Sequence, residues 1–170
     1  MSTQRILIVD DDPAVLLTLA ASIERLNPAY AVDTCESGAE ALTYLENHHY
    51  VLLLTDYSMP GMSGIDLART VREQSPDTRI IMMTAYGSDG LRKQVADLNL
   101  DAFVDKPFTV KQIRDIISQI MAKTAGAPHG LVIEDNTDLR RLYSNALARA
   151  GYRVTGTDAL AEANQLVDEN

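Results

Sequence analysis

The sequence has one cysteine, a deficit of positive charge and no long apolar run, and each shortage excludes a kind of protein. Cys35 cannot form a disulfide within the chain, because no second cysteine is present. The 15 lysine and arginine residues are outnumbered by 24 aspartate and glutamate residues. The resulting net charge of −9 argues against direct contact with nucleic acid, which requires a basic patch. No stretch is long and apolar enough to cross a membrane.

The first residues, Met1 to Arg5, lead straight into a short apolar run and lack the features of a signal peptide. We therefore expect a cytoplasmic protein. The hydrophobic content of 46% and the charged content of 23% are typical of a globular chain. No glycine-rich loop follows the first apolar run, so nucleotide binding has little support.

Short apolar runs alternate with amphipathic stretches through the first 123 residues. Apolar runs without polar alternation are typical of strands buried on both faces of a parallel sheet. The predicted strands are 6–9, 30–36, 50–56, 79–84 and 102–105. The predicted helices are 13–26, 37–47, 65–74, 89–98 and 109–123, with caps at Asp12, Ser37 and Thr109 and a capping box from Ser37 to Glu40. This alternation predicts an α/β fold, a five-stranded parallel sheet covered on both faces.

Polar residues end four of the predicted strands. Asp10 and Asp11 follow the first strand, and Asp56, Thr84 and Lys106 end the third, fourth and fifth. In a parallel sheet these four ends lie at one edge, where ligands collect. Neighbouring carboxylates can all stay ionised only beside a cation, and an all-oxygen ligand set suits Mg²⁺ better than zinc. Metal, ammonium and hydroxyl would together cradle a phosphoryl group, with Asp56 placed to attack its phosphorus.

Four segments resemble the response regulator receiver domains of two-component signalling. They are Val9-Asp10-Asp11, Asp56-Tyr-Ser-Met-Pro-Gly-Met-Ser-Gly64, Thr84-Ala85 and Lys106-Pro107-Phe108, within residues 4–123. The resemblance implies a doubly wound, flavodoxin-like sheet with strand order 2-1-3-4-5. It also implies a signalling domain and not an ordinary enzyme, since such a domain catalyses only phosphoryl transfer to its own aspartate and hydrolysis of the product.

The same resemblance implies a phosphoryl donor and a metal. Asp56 would accept a phosphoryl group from a histidine kinase or a phosphotransfer protein. Mg²⁺ would be bound directly by Asp11, by Asp56 and by the backbone carbonyl of Ser58, and through water by Asp10.

The resemblance also assigns the remaining residues of the site. Thr84 and Lys106 would contact the phosphoryl group, and Thr84 would couple to Phe103, which falls where the family keeps its switch aromatic. The Lys106–Pro107 bond looks like the family's usual cis peptide.

After a small-residue linker at 124–130, the sequence begins to repeat itself. Residues 131–135 repeat 7–11, and the pattern of strand, helix, strand and helix continues through 131–170. This segment resembles the N-terminal half of a second receiver domain. Glu134 and Asp135 match the acid pair, but no acceptor aspartate, threonine or lysine follows. Either the chain is a piece of a longer protein or the segment is a natural remnant, and the sequence alone does not separate the two.

About 40 residues is near the lower limit for a domain without disulfides or metals. We therefore predict that residues 131–170 are not stable alone. The segment is expected to be disordered, to pack against the first domain at 1–123, or to pair with a second chain as a homodimer.

Two other functions fit parts of the sequence. Asp10 to Ala14 comes near the aspartyl-nucleophile signature of haloacid dehalogenase-like phosphohydrolases, which are metal-dependent. Ala14 breaks that signature, and the turn after Asp56 stays unexplained by it. The other alternative is an interaction module with a receiver fold that no longer switches. The intact set of acids argues against this alternative for the first domain. The second segment lacks the C-terminal half of a receiver domain, which favours the alternative there.

Overall fold

The apolar runs of the first 120 residues form one parallel sheet in a computed structural model of the chain, which describes residues 3–85, 95, 98–125 and 129–158. The strands are β1 (Gln4–Val9), β2 (Tyr30–Cys35), β3 (Leu52–Asp56), β4 (Arg79–Thr84) and β5 (Ala102–Asp105). Their order across the sheet is β2-β1-β3-β4-β5, and every neighbouring pair is parallel. The predicted fold and strand order are confirmed.

Helices cover the apolar faces of this sheet. They are α1 (Pro13–Glu24), α2 (Gly38–Asn47), α3 (Gly64–Gln74) and α4 (Val110–Ala125). All five residues of β3 are buried, as expected for a strand in the middle of a doubly covered sheet. The predicted helix 89–98 lies outside the described residues except for Val95 and Leu98, whose side chains are both buried.

Side-chain caps fix where the helices begin. Asp12 caps α1, its Oδ1 accepting from the Ala14 amide at 2.8 Å. Thr109 and Gln112 form a reciprocal pair at the start of α4, with the Thr109 amide donating to Gln112 Oε1 and the Gln112 amide to Thr109 Oγ1. Both caps were predicted, although the role of Gln112 was not.

The predicted capping box of α2 forms only in part. Ser37 Oγ accepts from the Glu40 amide at 3.2 Å, as expected. The Glu40 carboxylate accepts from the Glu36 amide at 3.1 Å, one residue before the cap, and not from Ser37. The Glu40 side chain therefore fixes the chain as it leaves β2.

Residues 121–170 form a second compact unit, separate from the unit of residues 1–120. It contains β6 (His129–Ile133), α5 (Thr137–Arg149) and β7 (Arg153–Thr157), and the two strands pair in parallel. The predicted linker 124–130 overlaps the end of α4 and the start of β6. The second helix predicted within 131–170 lies outside the described residues. None of the helices in the described ranges is long and apolar enough to span a membrane.

Candidate functional site

Three strands of the first unit bring two carboxylates and one ammonium group together at one edge of the sheet. Asp10 follows β1, Asp56 is the last residue of β3, and Lys106 follows β5. Lys106 Nζ lies 2.8 Å from Asp10 Oδ2 and 2.7 Å from Asp56 Oδ1. The register explains the meeting, because Val9 pairs with Thr55 and Thr84 pairs with Asp105. The ends of these strands therefore lie level with one another.

Backbone amides hold the other oxygen of each carboxylate. The Asp12 amide donates to Asp10 Oδ1 at 3.0 Å, and the Ser58 amide donates to Asp56 Oδ2 at 3.0 Å. Each carboxylate is thus fixed by one backbone donor and one ammonium group. Charge-assisted bonds of this kind orient the groups more firmly than neutral ones.

The carboxylates of the site are buried, and they outnumber its positive charge. Asp10 is 0% exposed and Asp56 is 5% exposed. Two anions face one cation, so these three side chains carry a net charge of −1. Burial by itself lowers the pKa of Lys106, but its hydrogen bonds to Asp10 and Asp56 and their charges outweigh burial and raise it above its ordinary value. Lys106 is therefore charged throughout the physiological range.

Thr84 and Phe103 lie on the two strands beside this cluster. Thr84 is the last residue of β4 and is fully buried, and its carbonyl accepts from the Lys106 amide at 2.7 Å. Phe103 pairs in register with Met82 and packs, partly buried, against the hydrophobic core. The Lys106–Pro107 peptide is cis, as predicted.

Asp11 differs from Asp10 and Asp56 in its exposure to solvent. It is exposed beside the buried Asp10. Within the described residues, no group of three or more His, Cys, Asp or Glu side chains is arranged to hold a metal ion. The sequence predicted close convergence of Asp10, Asp11 and Asp56, and the structure brings together the first and third with Lys106. The donor set still fits a hard cation, because it offers only oxygen ligands and carries net negative charge.

Gly64, which sequence reasoning left without a role, fixes the backbone of Asp56. A Cβ atom at Gly64 would collide with the Asp56 carbonyl oxygen. The Gly64 amide donates to the Tyr57 carbonyl at 3.0 Å, and the Tyr57 amide donates to the Met83 carbonyl at 2.8 Å. The sequence offered one indication of this role, a glycine directly after the capping residue Ser63. Glycine in a helix costs stability, so its presence there indicates close approach of another segment.

A family model and curated relatives all match the N-terminal two thirds of the chain. A family model described as the response regulator receiver domain matches residues 6–118. The chain is 38% identical over 109 residues to the transcriptional regulatory protein ResD of Bacillus subtilis, covering 64% of this chain and 44% of the relative. It is 34% identical over 120 residues to the regulatory protein VanRB of Enterococcus faecalis, covering 71% and 53%. The chain thus spans about half the length of these curated relatives.

Two solved structures resemble the same part of the chain. One is the response regulator TrrA of Thermotoga maritima in complex with Mg²⁺ and BeF, with a TM-score of 0.61 and 31% identity over 69% of this chain and 99% of that one. The other is a CheY-like receiver domain protein of Methanospirillum hungatei, with a TM-score of 0.66 and 30% identity over 72% and 96%.

Proposed function

This chain belongs to the response regulator receiver domain family, and from that premise we propose that Asp56 is its phosphoryl acceptor. The contact of Lys106 Nζ with Asp56 Oδ1 at 2.7 Å carries the proposal. It places a fixed positive charge beside the oxygen that would attack phosphorus. The donor would be a histidine kinase or a phosphotransfer protein, and the proposal places the exchange in the cytoplasm.

The chemistry asks little of the protein beyond positioning and charge. An Asp56 oxygen forms a bond to phosphorus, the bond from phosphorus to the donor nitrogen breaks, and that nitrogen keeps the electron pair and takes up a proton. A carboxylate needs no general base to act as a nucleophile. Lys106 and the Thr84 hydroxyl would stabilise negative charge on the phosphoryl oxygens. Hydrolysis of the acyl phosphate by water would return Asp56 to its starting state.

A divalent cation has a defined place in the proposal. Asp11, Asp56 and the Ser58 carbonyl would bind Mg²⁺ directly, with Asp10 reached through water. The family resemblance and the Mg²⁺ in the TrrA complex support this assignment. When bound, the ion would offset negative charge on the transferring group.

The switch is proposed to join Thr84 to Phe103. A hydroxyl that turns toward the phosphoryl group would vacate space into which the partly buried Phe103 ring can rotate. Beryllofluoride, which imitates an acyl phosphate, should therefore move the NMR resonances of residues 84–106. Unchanged shifts after saturation would mean that the domain does not switch.

The phosphohydrolase alternative fits the structure poorly. Its nucleophile would be Asp10, whereas the receiver family model matches residues 6–118 and includes the turn after Asp56 that the phosphohydrolase signature leaves unexplained.

Intact mass after treatment with acetyl phosphate and Mg²⁺ tests the acceptor. Wild type should gain one phosphoryl group, and Asp56→Asn should gain none. Asp105→Asn, at an exposed strand end one residue before Lys106, is the matched control and should behave as wild type. EDTA should abolish the gain. Retention of the wild-type mass gain by Asp56→Asn would show that the assignment is wrong.

The proposal extends in part to the second unit, as the N-terminal half of a second receiver-like fold. Its hydrogen bonds support this. The Glu134 amide donates to the Thr157 carbonyl at 3.0 Å and the Asn136 amide to Glu134 Oε1 at 3.1 Å. The corresponding bonds of the first unit run from the Asp10 amide to Cys35 and from the Asp12 amide to Asp10, at 3.3 and 3.0 Å.

A further inference from the structure

We propose that Gly38 is a positioning residue for the Asp56 site, acting through Met62 on the loop of residues 57–63. The inference rests on the proposed function, because the loop carries Ser58, whose amide binds Asp56 and whose carbonyl would bind Mg²⁺. Gly38 itself is the first residue of α2 and belongs to none of the segments from which the function was argued.

Gly38 and Met62 lie too close for any side chain at position 38. A Cβ atom at Gly38 would lie 2.9 Å from each of Met62 Cβ, Cγ and Sδ. Rotation about the Met62 side chain could move Cγ and Sδ away. It could not move Cβ, which is fixed to the backbone. A methyl group at position 38 must therefore displace the loop or the start of α2.

The ends of the loop cannot absorb this displacement. At one end the Tyr57 amide is bonded to the Met83 carbonyl of β4 at 2.8 Å. At the other end Gly64 lies directly against the Asp56 carbonyl oxygen. Where the loop yields and not the start of α2, the movement falls between Ser58 and Met62. Since the Ser58 amide orients the Asp56 carboxylate, a shift there reaches the site without any contact between Gly38 and a charged group.

Lack of space for a side chain, and not an unusual backbone conformation, explains why residue 38 is a glycine. Among the described residues, the glycines with positive φ are Gly61 and Gly151. Gly38 has an ordinary helical backbone, where alanine would normally stabilise the helix. By helix propensity alone, Gly38→Ala would raise stability. A loss at the Asp56 site in this variant would therefore come from the contact with Met62.

Two backgrounds at position 62 provide the test. Gly38→Ala should raise the Mg²⁺ dissociation constant about tenfold, the scale seen when support of a metal ligand is lost, and should slow phosphorylation by acetyl phosphate when Mg²⁺ is subsaturating. Isothermal titration calorimetry measures the first quantity and intact mass against time the second. Adding Gly38→Ala to Met62→Gly, which removes all three contacting atoms, should change neither quantity relative to Met62→Gly alone.

Gly130→Ala is the matched control, because its added Cβ would come no closer than 3.4 Å to another atom and lies in the second unit. It should leave Mg²⁺ binding unchanged. Thermal unfolding of every variant shows whether a loss at the site accompanies unfolding of the domain. The inference would be overturned if Gly38→Ala changed the Mg²⁺ dissociation constant equally in the Met62 and Met62→Gly backgrounds. It would also be overturned if Gly38→Ala had no effect on that constant with Met62 present. Failure of wild type to bind Mg²⁺ or accept a phosphoryl group would instead overturn the proposed function.

Discussion

Lys106 contacts both Asp10 and Asp56, and its loss should lower stability as well as phosphorylation. Lys106→Met would leave Asp10 and Asp56 buried without their shared counter-ion. Removing one partner of a buried ion pair costs about 3–5 kcal/mol, and the partial exposure of this lysine reduces the expected loss to about 2 kcal/mol. Urea denaturation at pH 7 measures it.

Lys111→Met gives the comparison, because Lys111 also pairs with an aspartate but has a side chain that is 84% exposed. Its loss should change stability very little. The Lys106 pKa lies above its ordinary value, so the contribution of this ion pair should persist up to pH 10 and fall only as the pH rises through the shifted pKa. Equal destabilisation by the two variants would contradict this account.

Asp77 is half-buried, and one of its carboxylate oxygens is shielded from solvent. Within the described part of the chain, this Oδ1 atom has no hydrogen-bond partner. Burial raises its pKa from the ordinary 3.8 to about 6, against the lowering effect of Arg79 and Arg72. The folded state therefore holds the proton more tightly than the unfolded state. The stability contribution of Asp77 is fully present below pH 4 and is lost as the pH rises to about 6.

Asp77→Asn should accordingly stabilise the protein by about 1 kcal/mol at pH 7.5, after allowance for solvent near the carboxyl group. At pH 4 the gain should vanish, because the wild-type carboxyl is then neutral in the folded state. Denaturation of wild type and variant at both pH values checks the difference. A gain of the same size at pH 4 and pH 7.5 would mean that charge is not the cause.

At the scale of elements, the junction of β3 with α3 leaves no room for a side chain at Gly64. Gly64→Ala forces a methyl group against the Asp56 carbonyl oxygen, which belongs to a strand buried on both faces and cannot retreat. We expect a loss of about 3 kcal/mol, in the range of overpacked cores. Gly61→Ala, with a φ of +80° and open space around it, should cost only its backbone strain of about 1 kcal/mol. Thermal unfolding ranks the two, and the reverse order would contradict the packing argument.

The elements themselves could be predicted because their causes are local. Apolar runs defined β1 to β5, and Asp12, Ser37 and Thr109 marked the helix starts. The meeting of Asp10, Asp56 and Lys106 followed from parallel topology. The contacts of Gly38 and Gly64 and the exposed position of Asp11 could not be predicted, because each depends on the distance between segments that only the packed fold determines.

At the scale of the whole chain, the two units differ in the solvent exposure of equivalent apolar positions. Val9 and Leu19 are 0% and 1% exposed in the first unit. Ile133 and Tyr143, which hold the corresponding places in β6 and α5, are 47% and 48% exposed. The described part of the second unit also exposes Leu139, Leu142 and Tyr152, and clustering of exposed apolar side chains is typical of surfaces that bind a partner.

We therefore predict that the second unit pairs with its copy in another chain, giving a dimer that does not depend on phosphorylation. Light scattering of the full chain should report a dimer, and deletion of residues 126–170 should give a monomer that still accepts phosphate on Asp56. Ile133→Ser with Tyr143→Ser should weaken the dimer, while Leu17→Ser, at a 74% exposed position of the first unit, should not. A monomeric full chain at high concentration would contradict the prediction.

The three residues of the charged cluster stand at positions 10, 56 and 106, and this spacing has a consequence for the protein during its synthesis. A nascent chain that ends after β3 already carries the carboxylates of Asp10 and Asp56. It does not yet carry Lys106, which supplies their counter-charge. The counter-charge arrives only with β5, the last strand of the five-stranded sheet in chain order, because Lys106 follows β5 directly. On the proposed function, a nascent or partly folded chain would not accept a phosphoryl group, and every phosphorylated molecule would carry a complete five-stranded sheet.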